Sequence, residues 1–254
     1  MYRKLFAAVI VSFFGMTAFA HFQVIKVPAD KVENINLPFN IDLIFTHPFH
    51  FKQTMTMKPP VAFGVLTDGV KTSLLNELKP ANFYGKTGFN CSYKFKAPGN
   101  YIFYVEPAPY WEPAERKYII HYTKVVVDVL ASGDGWDKLV GFPVEIEPLT
   151  RPYSIYAGNS FSGIVKKKGK PVPYATVEVE YYNSENRLKA SSELMSPQVI
   201  KADMNGVFTY TMPVPGWWGF AALLDGDKQV AGQDGKPADV EQGGVIWINA
   251  EKIN

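Results

Sequence analysis

The chain's 254 residues carry 26 Lys and Arg against 24 Asp and Glu, a formal net charge of +2. So even a balance gives no long-range pull on nucleic acid or anionic lipid. Past the first residues no apolar run approaches the ~18 positions of a membrane-spanning helix, and Cys91, the lone cysteine, excludes any intrachain disulfide.

In chain order, residues 1–20 read as an export signal. Basic Arg3 and Lys4 precede an apolar run from Leu5 to Met16, and Ala18-Phe19-Ala20 forms the small-x-small pattern of a cleavage site. Cutting after Ala20 makes His21 the new N-terminus and leaves an exported chain of zero formal charge, with no direct membrane insertion of its own. A terminal histidine offers its free α-amine and its ring Nδ1 together, and the two can grip one metal ion as a chelate. Processing and function are then coupled, because the amine exists only after the cut.

The segments that follow are short, β-branched or aromatic, and bounded by Gly, Pro, Asn or Asp, which is the pattern of an all-β protein. Strands are expected over 22–27, 40–46, 61–66, 92–97, 101–106 and 117–129. Ile41, Leu43 and Phe45 alternate with Asp42 and Ile44, so His47 falls at the rim of a core-facing row, where Pro48 ends the ladder. His50, two residues past the proline, is expected to be exposed. Met55 and Met57 read as core filler, with a soft Cu(I) site as the alternative. The proline-stiffened stretch with Glu106, Tyr110, Trp111 and Glu112 is expected to wall a pocket or to supply a carboxylate that orients an imidazole. A loop packed on its own aromatics is the plainer reading. His121 lies in mid-strand, where an imidazole bonded to a backbone carbonyl is common.

The Gly- and Asp-rich stretch 131–141 marks a boundary between an N-terminal, metal-binding domain over 21–135 and a C-terminal domain over 136–254. Strands are expected there over 144–146, 160–166, 175–181, 206–212, 217–224 and 244–249. Ala175, Val177, Val179 and Tyr181 share a core face, and Thr176, Glu178 and Glu180 form a wet outer one. The stretch 183–196 reads as a loop or one short helical turn. Lys166, Lys167, Lys168 and Lys170 surround Gly169 as a solvated turn rather than a phosphate site. The strings GKPVPYATVEVEYYN and KADMNGVFTYTMPVPGWWGFAALLDGD resemble small sandwiches of the transthyretin-like or carboxypeptidase-regulatory type, with Asp203-Met204-Asn205-Gly206 as a hairpin turn. The fold class expected is all-β: two β-sandwich domains, immunoglobulin-like and transthyretin-like, after a cleaved signal peptide.

All four histidines, His21, His47, His50 and His121, fall in the first half. A terminal chelate joined by one or two further imidazoles makes a T-shaped or square-planar nitrogen set, which suits Cu(II) or Ni(II) better than tetrahedral Zn(II). No G-x-S-x-G, P-loop, H-E-x-x-H or dinucleotide fingerprint occurs, so no enzyme is read from motif.

Over nearly the whole mature chain, strings such as AHFQVIKVP, FTHPFHFKQTMTMKPPVAFGV and PGNYIFYVEPAPYWEPAERKYIIHYTKVVVDV resemble a family of bacterial exported nickel-uptake accessory proteins. These are associated with nickel or cobalt transporters of the energy-coupling-factor type. The resemblance implies a periplasmic, non-catalytic protein that binds a transition-metal ion and hands it to membrane transporter subunits. Ni(II) is the implied cargo, with Co(II) or Cu(II) as alternatives. The family's histidines map onto His21, His47 and His121, whereas His50 stands where relatives are expected to carry an acidic residue. Two other readings stay open. One is a copper-dependent polysaccharide mono-oxygenase using the terminal histidine, with Tyr110 and Trp111 as a sugar platform. The other is a non-catalytic adhesive or interaction protein.

Overall fold

The computed structural model describes residues 21–50 and 53–253, and the expected export signal lies outside them. Among the described residues the chain is all-β, as its sequence predicts, and the helical elements are two short 3-10 turns, Leu75–Glu77 and Glu193–Met195. The second falls in the stretch read as a loop or short turn. No helix among the described residues is long and apolar enough to cross a membrane.

A five-stranded sheet runs in the order Phe22–Lys26, Phe39–Thr46, Lys86–Tyr93, Lys79–Phe83, with Thr54–Met55 added against Phe39–Thr46. Its antiparallel register sets Phe22 opposite Thr46 and Gln23 opposite Phe45. Ile41, Leu43 and Phe45 are buried as their alternation predicts, and Ile44 on the other face is buried too. That second face is covered by the far half of the chain: the Phe22 ring lies 5.9 Å from Trp247.

A twelve-stranded sheet crosses both halves. Lys117–Val129 pairs in parallel with Pro237–Glu251, from Lys117 opposite Asp239 to Val125 opposite Trp247. Gly216–Asp225, Thr176–Tyr181 and Gln198–Lys201 extend it on one side, and Gly99–Glu106, Ala62–Thr67 and Val70–Ser73 on the other. Burial on both faces explains the unbroken apolar runs 125–127 and 245–248 at this seam. One apolar cluster gathers around Phe45 and Phe103, joined by Ala221, Val245 and Trp247 from the far half, and another around Phe161, Phe208 and Phe220. A four-stranded sheet of Val144–Pro148, Ser160–Lys167, Lys170–Pro171 and Val207–Thr211 completes the second half.

The boundary stretch carries no strand between Val129 and Val144, yet two carboxylates pin it. Asp128 accepts from the backbone N–H groups of Ser132 and Gly133. Glu145 accepts from those of Val140, Gly141 and Phe142, and also from the ammonium of buried Lys124 at 2.7 Å.

Three local expectations are overturned. The strand expected over 92–97 is Lys86–Tyr93, because Tyr84 and Gly85 adopt φ of +54° and +80° and fold it back on Lys79–Phe83. A left-handed tyrosine is not a signal that turn-residue statistics anticipate. Asp203–Gly206 does form a tight turn, with the Asp203 carboxylate accepting from Asn205 and Val207 N–H groups. Its flanking strands enter different sheets, so it is no hairpin. The supposedly wet face of Thr176–Tyr181 is covered at its far end: Glu180 is 3% exposed, and the Ser196 hydroxyl donates to it at 2.9 Å, while Thr176 and Glu178 are half-buried. The Pro48 carbonyl, receiving the Asn183 N–H, brings the 47–50 segment onto the same end of that strand. Burial pushes the Glu178 carboxyl up to about 7 and the Glu180 carboxyl up to about 8. The lysine cluster is a turn, as expected, with Lys166 paired to Glu147 and both Lys167 and Lys168 paired to Asp227.

Candidate metal centre

The register of the first two strands, continued by one residue, aligns His21 with His47. Their ring centroids lie 4.4 Å apart, with the planes inclined at 50°. Pro48 ends the ladder just beyond, so the pair closes one end of the sheet. His21 Nε2 lies 3.0 Å from the Glu112 carboxylate. Glu112 arrives on a short strand, Tyr110–Glu112, which pairs back on Lys117–Ile119; the proline-rich stretch is therefore partly a hairpin. The Ala114 N–H donates to the other Glu112 oxygen at 2.9 Å and fixes the carboxylate. His21 and Glu112 side chains are 11% and 12% exposed, and His47 is buried, so the pair sits recessed below the rim.

A carboxylate only accepts, so His21 Nε2 carries the proton in this bond and Nδ1 is left with its lone pair. Nδ1 is the nitrogen that the chelate expected from the sequence would use. Glu112 thus stands in the orienting position that sequence considerations assign to a carboxylate of this stretch.

His121 is not in ring contact with either imidazole. The Phe45 ring lies 5.7 Å from His21 and 6.3 Å from His121, and it also packs on Tyr110 at 5.0 Å. His121 is 1% exposed, and its Nε2 lies 3.2 Å from Glu241, so a carboxylate takes the place of the backbone carbonyl expected for a mid-strand histidine. The ring lies across Gly243, where an added Cβ would sit 2.4 Å from the imidazole Cδ2. Its Nδ1 is buried without a hydrogen-bond partner. Burial alone raises the Glu241 carboxyl, but hydrogen bonds from His121 and from Lys117 at 2.6 Å outweigh it and hold the group at about 2. Glu241 is the partner of this imidazole that sequence reading misses, since only the parallel seam brings it 120 residues back along the chain.

His50 is half-buried beside Phe49, at 5.4 Å between rings, in the segment that leans on the second half. Glu106 is half-buried and acts on Tyr122, the neighbour of His121 on the opposite strand face, and burial raises its carboxyl. The Met57 sulfur lies 3.8 Å from Gln23 Nε2 in the core. Cys91 is a buried free thiol, and burial pushes its pKa up. Among the described residues, no three His, Cys, Asp or Glu side chains form a group that could hold a metal. The third donor of the expected chelate is a main-chain amine, which no side chain replaces. Behind the pair, under Tyr110 and Trp111, lies a cavity of ≈ 460 Å³ that Phe45, Gln23 and His121 also line.

A family model described as "Domain of unknown function (DUF4198)" matches residues 18–226. No curated protein matches the chain. Among solved structures it is similar to the D0–D1 domain of intimin, with 13% identity and a TM-score of 0.26 over 89% of this chain and 99% of that one. It is similar to trypsin-activated α2-macroglobulin from Escherichia coli at 10% identity and a TM-score of 0.28, covering 90% of this chain and 16% of that chain. Titin domains A168–A170 align at 11% identity and a TM-score of 0.22, over 88% and 62% of the two chains.

Proposed function

We propose that this chain, which belongs to the DUF4198 family, binds a divalent transition-metal ion once residues 1–20 are removed, and carries it to a membrane transporter. The ion is held by the α-amine and Nδ1 of His21 and by the ring of His47, with Glu112 orienting the first imidazole. Nickel is the cargo suggested by the resemblance, and export to the periplasm follows from the leader-like residues at the start. A nitrogen donor set of this kind ranks Cu(II) above Ni(II) and Ni(II) above Co(II) in affinity, whichever ion is carried in the cell.

The observation that supports this reading is the His21–His47 spacing. A metal–nitrogen bond of about 2.0 Å puts each imidazole centroid about 3.2 Å from the ion, so two rings at right angles around it are about 4.5 Å apart. The rings here stand at 4.4 Å. Carriage rather than polysaccharide oxidation is favoured because both imidazoles are recessed, whereas a polymer chain needs the metal on an open face.

Isothermal titration of the protein cut after Ala20 tests the reading. Ni(II) and Cu(II) are expected to bind tighter than micromolar, about 8 kcal/mol, and binding should weaken below about pH 6 as imidazoles protonate. A form retaining one extra residue before His21 should lose most of that affinity. Equal affinity in the extended form would place the ion elsewhere, and reductant-driven oxidation of cellulose or chitin would replace carriage with catalysis.

A further inference from the structure

Beyond Thr46 the backbone that carries His47 leaves its strand, and the other half of the chain takes hold of it. The carbonyls of Pro48 and Phe49 both accept from Asn183, the first from its backbone N–H at 3.0 Å, the second from its side-chain Nδ2 at 3.4 Å. Asn183 is buried, and Leu188 sets its amide: the Leu188 N–H donates to Oδ1 at 3.0 Å, and the Leu188 carbonyl accepts from Nδ2 at 2.9 Å. Those bonds use both hydrogens of Nδ2 and fix a single orientation. Phe49 and Leu188 both pack against the cluster around Phe161, Phe208 and Phe220. Within its own half the segment is held more loosely, by a His47 N–H to Gln53 carbonyl bond of 3.4 Å and a Gln53 N–H to His50 carbonyl bond of 3.0 Å.

His47 is one residue from this clamp, and Pro48 between them has a fixed φ, so a shift of the clamped carbonyls passes to His47 with little slack. We propose that Asn183 and Phe49 position His47, and that the 183–188 loop is thereby a latch on the metal pair. Docked, the latch holds the His47 ring against His21; released, it leaves the ion on the two-point grip of His21 alone. The inference rests on the metal reading and deepens it by naming how the ion is retained and let go. It gives the second half of the chain a part in the site itself. Glu185, Asn186 and Arg187 of the loop are exposed, so a partner can reach the latch while its clamp stays buried.

The test has a metal-free arm and a metal arm, both on protein cut after Ala20. Without metal, the wild type is expected to show a nuclear Overhauser contact between the His21 and His47 rings. Asn183→Ala and Phe49→Ala should abolish that contact and leave the His121 imidazole signals unmoved. Phe49→Leu, which keeps an apolar anchor, should retain it. After loading with Ni(II), excess EDTA should strip Asn183→Ala at least about tenfold faster than the wild type. In a His47→Ala background the same substitution should add no further acceleration, whereas a general loosening of the fold would. Should Asn183→Ala fail to fold, Phe49→Ala compared with Phe49→Leu decides in both arms. An intact ring contact in both Asn183→Ala and Phe49→Ala, or equal acceleration with and without His47, overturns the proposal. Loss of the contact in a chain whose wild type binds neither Ni(II) nor Cu(II) upholds the positioning role and removes the metal reading alone.

Discussion

Glu112 matters less through its charge than through the hydrogen bond it accepts. By accepting from His21 Nε2 at 3.0 Å it leaves the lone pair on Nδ1, the nitrogen that the proposed site uses. Glu112→Gln disturbs that tautomer choice while keeping size and burial, so metal affinity should fall about 10–100-fold with little change in melting temperature. Calorimetric titration beside a thermal melt checks both halves of that expectation. Glu180 makes a prediction of another kind. Its carboxyl titrates near 4.5 in the ordinary state and is pushed up to about 8 by burial in the fold. Between those values the folded chain holds a proton that the unfolded chain has released. Its contribution is therefore fully present below about pH 4.5 and lost progressively as pH rises toward 8. Glu180→Gln is neutral at every pH, so melting temperatures compared at pH 5 and pH 8 should fall in the wild type by an amount equivalent to a few kcal/mol and fall by less in the variant, in which Glu178, pushed up to about 7, still titrates.

At the scale of elements, strands were legible where one periodicity dominated. Lys117–Val129 matches its expected range end to end, and Phe22–Lys26, Phe39–Thr46 and Gly99–Glu106 lie within two residues of theirs. Pairing was not legible, because hydrogen bonding between strands is non-local and leaves no mark in the spacing of one segment. The parallel seam between Lys117–Val129 and Pro237–Glu251 is the chief case, and it is also what seats His121 over Gly243. Gly243→Ala puts a methyl group into the imidazole ring with ordinary strand φ, so the cost is steric. We expect a loss of about 1–3 kcal/mol, read from denaturant midpoints, and a displaced His121 ring seen as a changed imidazole NMR shift.

Across the whole molecule, the two halves meet through a shared sheet and a buried ion pair rather than through a flexible join. Lys124 from the first half is 1% exposed, and Glu145 just past the boundary receives its ammonium together with three backbone N–H groups. Lys124→Met leaves the carboxylate buried without its cation, which should cost about 3 kcal/mol. Adding Glu145→Gln to that variant should recover part of the loss. The shared sheet further predicts a single unfolding transition, with tryptophan fluorescence and far-ultraviolet circular dichroism giving coincident curves. Two separated transitions would show that the halves fold independently despite the seam.

Residue order alone determined the all-β class, the core faces of the main strands, the solvated lysine turn and the confinement of all four histidines to the first half. Those features depend on alternation, composition and turn chemistry, each of which acts over a few neighbours. It also placed His47 at the end of a core-facing row, without showing which strand lies beside it. Tertiary structure decided which histidines touch: His21 joins His47 and Glu112, while His121 turns to Glu241 across the seam and meets the pair only through Phe45. It also buried Glu180, at the end of the outward row, by laying Ser196 and the 47–50 segment near it, and half-buried Glu178. Burial of that sort depends on what the rest of the chain packs against a face, and no local pattern encodes it.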